Sequence, residues 1–234
     1  MAKSRYLTAI FIAASVTAVA ACGSNTGTTA TKDIHLDYAY YNPLSLVVRD
    51  QHLLENHGYN VTWVLSAGSN KANEGLRLSA LDFGSTAGSA ALVARANGTP
   101  IKIIDVYSKP EWTALVVGKN STINSVADLK GKKIAVTKGT DPYFFLLQSL
   151  ATAGLSPADV ESINLQHADG KTALERGDID AWSGLDPFMA QTIQQQGFAL
   201  LISQPRFQLL WRIERPRGLQ FRASGCRAVG SQQL

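Results

Sequence analysis

Cysteine is nearly missing from this 234-residue chain. The two present, Cys22 and Cys226, offer no metal-ligand spacing and no disulfide framework. Histidine is scarce as well, and the four residues are scattered. His35 falls in a strand pattern, His52 and His57 on or just after one helix, and only His167 near the predicted cleft edge. Catalysis needs a nucleophile or an acid–base pair held together in a cleft, so an enzyme has little support and no metal or cofactor is expected. A basic stripe is also lacking. The net charge is +4 and the pI about 9.1, but Arg206, Arg212, Arg215, Arg217, Arg222 and Arg227 stand near the C-terminus against a lone Glu214. Without that stretch and the first 21 residues the remainder is mildly acidic, which argues against nucleic acid.

What is present begins with apolar content. Hydrophobic residues make up 45% of the chain, enough for one large or two small domains with real cores. Lys3 and Arg5 precede an alanine-rich apolar run from Tyr6 to Ala21. The run is short for a membrane span and has the charged start of a secretory signal. Its end, Val19-Ala20-Ala21-Cys22-Gly23, resembles a bacterial lipobox. That resemblance implies a signal peptide over residues 1–21, with the Cys22 thiol lipidated at the mature N-terminus. Ser24 to Thr31 is small and polar, as a tether over 22–32 should be.

Alternating and helical patterns then follow one another. Ile34 to Ala39 reads as a strand, Leu44 to Asn56 as a helix, and Val61 to Leu65 as a second strand. Lys71 to Leu78 begins another helix, and Leu81 to Phe83 leads into the stretch Asp82-Phe83-Gly84-Ser85-Thr86-Ala87-Gly88-Ser89. A helix from there ends at Asn97-Gly98, and Ile101 to Tyr107 reads as a fourth strand. This order predicts a mostly parallel sheet with helices on both faces. After a break near residues 108 to 115 the pattern restarts. Strands are expected at Trp112–Val117, Ile134–Val136, Ile163–Leu165, Ile179–Trp182 and Phe198–Ile202. Asp141-Pro142 and Asp186-Pro187 supply an N-cap and a first-turn proline for two helices. Another helix is expected after Asp169-Gly170, closed by Gly177.

Two α/β lobes in series result, 33–112 and 113–202. Both repeat one device: a strand, a small polar turn, then a helix N-terminus. Such turns offer backbone N–H groups at the positive end of a helix dipole, where an anion is stabilised without lysine or arginine. Ligands of open α/β sheets bind beyond the carboxyl ends of the strands. Two facing lobes therefore make a cleft lined with helix N-termini.

Three segments carry a family resemblance: Val136-Thr137-Lys138-Gly139-Thr140, His167-Ala168-Asp169-Gly170, and Asp180-Ala181-Trp182-Ser183-Gly184-Leu185-Asp186-Pro187-Phe188. They resemble the second lobe of periplasmic solute-binding proteins of ABC importers, in the branch that binds aliphatic sulfonates, taurine or nitrate. Gly84-Ser85-Thr86 with its small-residue helix is similar to their first lobe. The resemblance implies a two-lobed Venus-flytrap fold of type II, no catalysis, a small anionic organic ligand, a membrane permease as partner, and a monomer exported to the outer face of the cell membrane. A sulfonate spreads one charge over its oxygens and suits convergent N–H and hydroxyl donors. Ser85, Thr86 and Ser89 in the first lobe, with Gly68 in its other turn, become ligand-binding candidates. Gly139, Thr140 and Asp141 join them from the second, Asp141 mainly as a cap. Tyr41 and Trp182 are candidates to cover an alkyl tail, with ordinary core packing as the alternative for each. Asn42, Asn70 and Asp186 are weaker candidates, Asp186 with N-capping as its other reading. Lys138 either adds charge or is simply solvated.

Members of that family are longer, and after the second lobe they cross back to the first. Here the resemblance stops at Leu201-Ile202. Ser203 to Leu234 has no lysine and six arginines, and the expectation is a tail foreign to the family, from a frameshift first, with a divergent or mis-assembled end as the alternative. Alternative ligands are taurine, nitrate or a pyrimidine precursor. The other class of reading is a pyrimidine-synthase-like enzyme on the same fold.

Overall fold

The computed structural model describes residues 32–109 and 112–203. The expected signal peptide, Cys22 and most of the arginine-rich tail lie outside the described residues.

The first lobe is small in sheet. Strands β1 (Lys32–Tyr38) and β2 (Tyr59–Leu65) pair in parallel from Lys32↔Tyr59 to Tyr38↔Leu65. Phe83 adds only an isolated parallel bridge to Leu36. Three helices follow the strands: α1 (Pro43–Asp50), α2 (Ser69–Arg77) and α3 (Gly88–Ala96). Asn42 starts α1 by accepting from Ser45 N, with Pro43 next in line, the arrangement in which a proline costs the helix no hydrogen bond. The helix expected through Asn56 stops early. Gln51 closes it, His52 turns left-handed at φ 51°, and only a 3-10 turn, Glu55–His57, follows. Trp63 Nε1 donates to Glu55 Oε1 at 2.9 Å and ties that turn to β2.

The expected fourth strand does not form. Residues 101–109 have no regular structure. A strand needs a neighbour's N–H and C=O groups, and here the bonds are local. Arg95 Nη1 donates to Ile101 O, and Val106 N donates to the adjacent Asp105 carboxylate. The alternation was present, but no described edge pairs with it.

The second lobe is a five-stranded sheet: β3 (Thr113–Val117), β4 (Lys133–Val136), β5 (Glu161–Asn164), β6 (Ala181–Leu185) and β7 (Ala199–Ser203), in the order β5-β4-β6-β3-β7. Its β4 runs parallel to β5 and β6, while β3 runs antiparallel to β6 and β7. The sheet is therefore mixed, with β3 alone reversed. Ser203, expected to open the foreign tail, is the last residue of β7 and pairs with Ala114.

Helices α4 (Asp141–Thr152), α5 (His167–Arg176) and α6 (Phe188–Gln196) cover the sheet. Because side chains alternate along a strand, β3 feeds two cores. Leu115 and Val117 pack with Phe145, Leu146 and Leu150 of α4 on one face. Ala114 and Val116 pack with Leu174 of α5 and Met189 of α6 on the other.

Candidate functional site

A cavity of about 610 Å³ lies between the lobes. The turn after Phe83 and the start of α3 bound it on one side; Thr140, Asp141 and Pro142 at the start of α4, with His167 at the start of α5, bound it on the other. Leu36, Val48, Trp63 and Phe83 form an apolar wall, and residues 101–109 run along it. The first N–H groups of α3 have no partner within that helix, whereas at α4 Pro142 has no N–H and Tyr143 N donates to Thr140 O, which leaves the Asp141 N–H. The strand–turn–helix pattern thus brings two helix N-termini to one cavity.

The hydroxyls in those turns are mostly occupied. Ser85 N and Oγ both donate to Asp37 Oδ1, at 2.9 and 3.1 Å. Tyr41 Oη donates to Ser85 O at 3.1 Å. Thr140 Oγ1 donates to Thr137 O at 2.6 Å. Ser89 Oγ donates across the lobes to Asp141 Oδ1 at 2.6 Å. Only Thr86 keeps a loosely held hydroxyl, with a 3.5 Å contact to Ala87 O. Of the hydroxyls expected to donate to a ligand, Ser85, Ser89 and Thr140 instead fix turns or join the lobes. Thr86 is the most weakly held donor of the set.

The other candidates are placed as follows. Tyr41, Asn42, Ser85, Thr86, Thr140 and Asp141 line the cavity; Gly68, Ser89, Asn70, Gly139, Trp182 and Asp186 do not. Trp182, expected as a possible tail cover, is fully buried in the second lobe's core. A Cβ at Gly170 or Gly184 would come within 2.7 or 3.0 Å of its indole, so two glycines form its slot. That corrects the covering role to core packing. Asp186 caps α6, its Oδ1 accepting from Ala190 N at 3.0 Å. Asn42 is buried as the cap of α1. Gly139 stands at φ 77°, a conformation glycine adopts without strain, and a Cβ there would touch Asn70 Cβ at 3.5 Å. Lys138 is exposed.

Two cavity residues were not among the ligand-binding candidates. Asp37 is a buried acid at the end of β1. Burial pushes its carboxyl up, and the Ser85 N–H with the Ser66 and Ser85 hydroxyls partly offsets this. The same burial, with the Asp37 charge nearby, pushes the Tyr41 phenol up. An acid one step inside an apolar strand was the available signal. The second is His167. It is 1% exposed, and burial holds its imidazole down at about 4, so it is neutral at pH 7. The sequence reading started this helix after Asp169, but α5 begins at His167, which turns the ring inward.

Residues 46–207 match the family described as NMT1/THI5 like. The chain belongs to this family. This chain is similar to a protein named as aliphatic sulfonates-binding from Escherichia coli (strain K12), 32% identical over 162 residues, 68% of this chain and 51% of that protein. A taurine-binding periplasmic protein of the same organism is 32% identical over 139 residues, 59% of this chain and 43% of that protein. The chain spans about half the length of the curated relatives it matches. Among solved structures, the alkanesulfonate-binding protein of Xanthomonas axonopodis pv. citri, bound to MOPS, superposes with a TM-score of 0.68 at 26% identity, over 75% of this chain and 62% of that one. The E. coli periplasmic aliphatic sulphonate binding protein gives 0.64 at 29%, over 76% and 59%. The fold is the α/β periplasmic-binding-protein fold, as expected from the sequence.

Proposed function

We propose that this NMT1/THI5-like chain is a solute-binding component of an ABC importer, exported, without catalysis, and shaped to capture a small organic anion, an aliphatic sulfonate first among them. The observation that carries this reading is the cavity between two helix N-termini, lined by the weakly held Thr86 hydroxyl and by an apolar wall. The N–H groups and that hydroxyl suit sulfonate oxygens. The wall suits an alkyl tail, which favours an organic anion over nitrate. Relatives named for sulfonates and taurine support the same class. Lipid anchoring through Cys22, a monomeric state, delivery to a membrane permease and the lobe limits 33–112 and 113–202 belong to the same proposal.

Calorimetry with a small alkanesulfonate tests it. Binding is expected, and Thr86→Val should weaken it by about 1–3 kcal/mol by removing a donor. Lys138→Met, an exposed cation beside the turn, should cost less. A larger loss at Lys138 would mean that charge, not neutral donors, holds the anion. Turnover of a pyrimidine precursor would favour the enzyme reading instead.

A further inference from the structure

His167 holds a buried atom without a partner, and its protonation can be derived. Thr137 Oγ1 lies 2.7 Å from Leu165 O, which can only accept, so the hydroxyl proton points there. The same oxygen is 3.2 Å from His167 Nδ1. It must therefore accept, and Nδ1 must carry the hydrogen. In a neutral ring this leaves Nε2 as a bare lone pair. That Nε2 is buried with no hydrogen-bond partner.

The lone pair points across the lobe boundary. A Cβ on Gly68 would sit 3.1 Å from Nε2 and 2.7 Å from Asn70 Oδ1, itself buried and unpartnered. Two idle acceptors, one from each lobe, thus converge on one spot. Turning the Asn70 amide would exchange its oxygen for a donor. The His167 ring has no such freedom, because Thr137 fixes it. Gly68 is the smallest cover a residue can give, and the His167 ring already lines the cavity. Nε2 is reached from the cavity only when Gly68 moves aside.

We propose that His167 Nε2 accepts a hydrogen bond from the ligand, so that the cavity selects organic anions whose far end carries an N–H or O–H donor over those ending in plain alkyl. This rests on the anion-binding reading above and names the ligand's other end. A buried acceptor left unpaired by the wrong ligand discriminates strongly. An alkyl end leaves Nε2 idle, whereas an ammonium or hydroxyl group satisfies it and can reach Asn70 as well.

The test compares 2-aminoethanesulfonate with ethanesulfonate by calorimetry at pH 7.5, on the full chain. The wild type should bind the amine-bearing ligand about tenfold tighter or more. His167→Leu should bring the ratio to about one by weakening that ligand alone. Thr137→Val keeps the imidazole but frees its tautomer, so the ratio should fall part-way; it also keeps the test alive if His167→Leu does not fold. Equal affinities in the wild type would overturn the proposal and leave the anion reading standing. A ratio retained in His167→Leu would do the same. Binding of neither ligand would overturn both.

Discussion

The two lobes share a local grammar and differ in what faces their apolar residues. In the second lobe, Leu115, Val116, Ile134, Leu146, Leu150 and Trp182 are fully buried. In the first, the buried apolar residues among those described are four alanines, 39, 72, 90 and 91, and Leu81. Its larger side chains stand open: Ile104 is 79% exposed, Leu92 64% and Leu78 62%. Both lobes have strands and helices at amphipathic spacing. The second closes because five strands carry helices on both faces. Among the described residues the first has two strands, two isolated bridges, and residues 101–109 outside any ladder. Periodicity makes a residue available for burial; a facing layer makes it buried.

The largest test of that contrast is one leucine from each lobe. Leu146→Ala removes a fully buried side chain and should cost about 2–5 kcal/mol, through lost transfer energy and the cavity left behind. Leu92→Ala, on the open face of α3, should stay within about 0.5 kcal/mol. Urea unfolding followed by circular dichroism measures both. Equal costs would mean that the face of α3 is covered in solution and that the lobes differ less than they look.

How far the sequence could be read follows the same division. The start of α4 was legible to within a residue because Asp141-Pro142 acts locally, although the N-cap is Thr140 and the expected cap Asp141 is the first residue of the helix. Gly139 was legible as a turn for the same reason. The strand at 101–107 was misread because its partner would be far away in the chain. The binding role given to Ser85, Ser89 and Thr140 rested on residue type. Which hydroxyl is weakly held depends on Asp37, Asp141 and the Thr137 carbonyl, and Asp37 and Asp141 stand 48 and 52 positions from their serines. Trp182 was split between cleft and core for lack of the same information: Gly170 and Gly184 make its slot only once α5 lies on β6. His167 depended on where α5 begins, and element ends are the least certain part of any pattern.

Acid should separate the lobes further. His167 has its pKa lowered from 6.5 to about 4 by burial in the second lobe. Its contribution to stability is full above pH 6.5 and is lost as pH falls from there towards 4, where the unfolded chain binds the proton and the folded one does not. The shift corresponds to about 3 kcal/mol at most. His167→Leu should flatten that limb. In the first lobe Asp37 works in the opposite sense. Its folded pKa lies above 3.8, so its stabilising contribution is complete below 3.8 and is lost as pH rises through the folded value. Asp37→Asn should remove that gain on acidification. Thermal melting of the two variants from pH 7 to 4 reads both effects, and an unchanged acid limb in His167→Leu would contradict the assigned burial.

A smaller effect than those of Leu146 and His167 concerns what joins the lobes. Ser89 of α3 donates to Asp141 of α4 at 2.6 Å. A hydrogen bond to a charged acceptor is worth more than a neutral one, which argues for a sizeable loss in Ser89→Ala. Two features reduce it. Asp141 lies in the first turn of α4, where the helix N-terminus still stabilises its charge once Ser89 is gone. The lobes also keep the edge-on contact of Tyr40 with Phe188, 6.5 Å between centroids. The net loss should therefore be about 1 kcal/mol or less, below the cost of Leu146→Ala. Its signature is in coupling more than in size. A bond that spans the lobes helps them unfold together, so Ser89→Ala should separate their transitions, with the less buried first lobe melting earlier. Asp141→Asn gives the control. It weakens the acceptor and also removes the charge at the α4 N-terminus, so it should lower the second lobe's own transition, which Ser89→Ala leaves in place. Hydrogen exchange resolved along the chain separates the two. Equal loss of protection in both lobes for Ser89→Ala would mean that the lobes behave as one cooperative body, and the contrast in burial would then have no counterpart in stability.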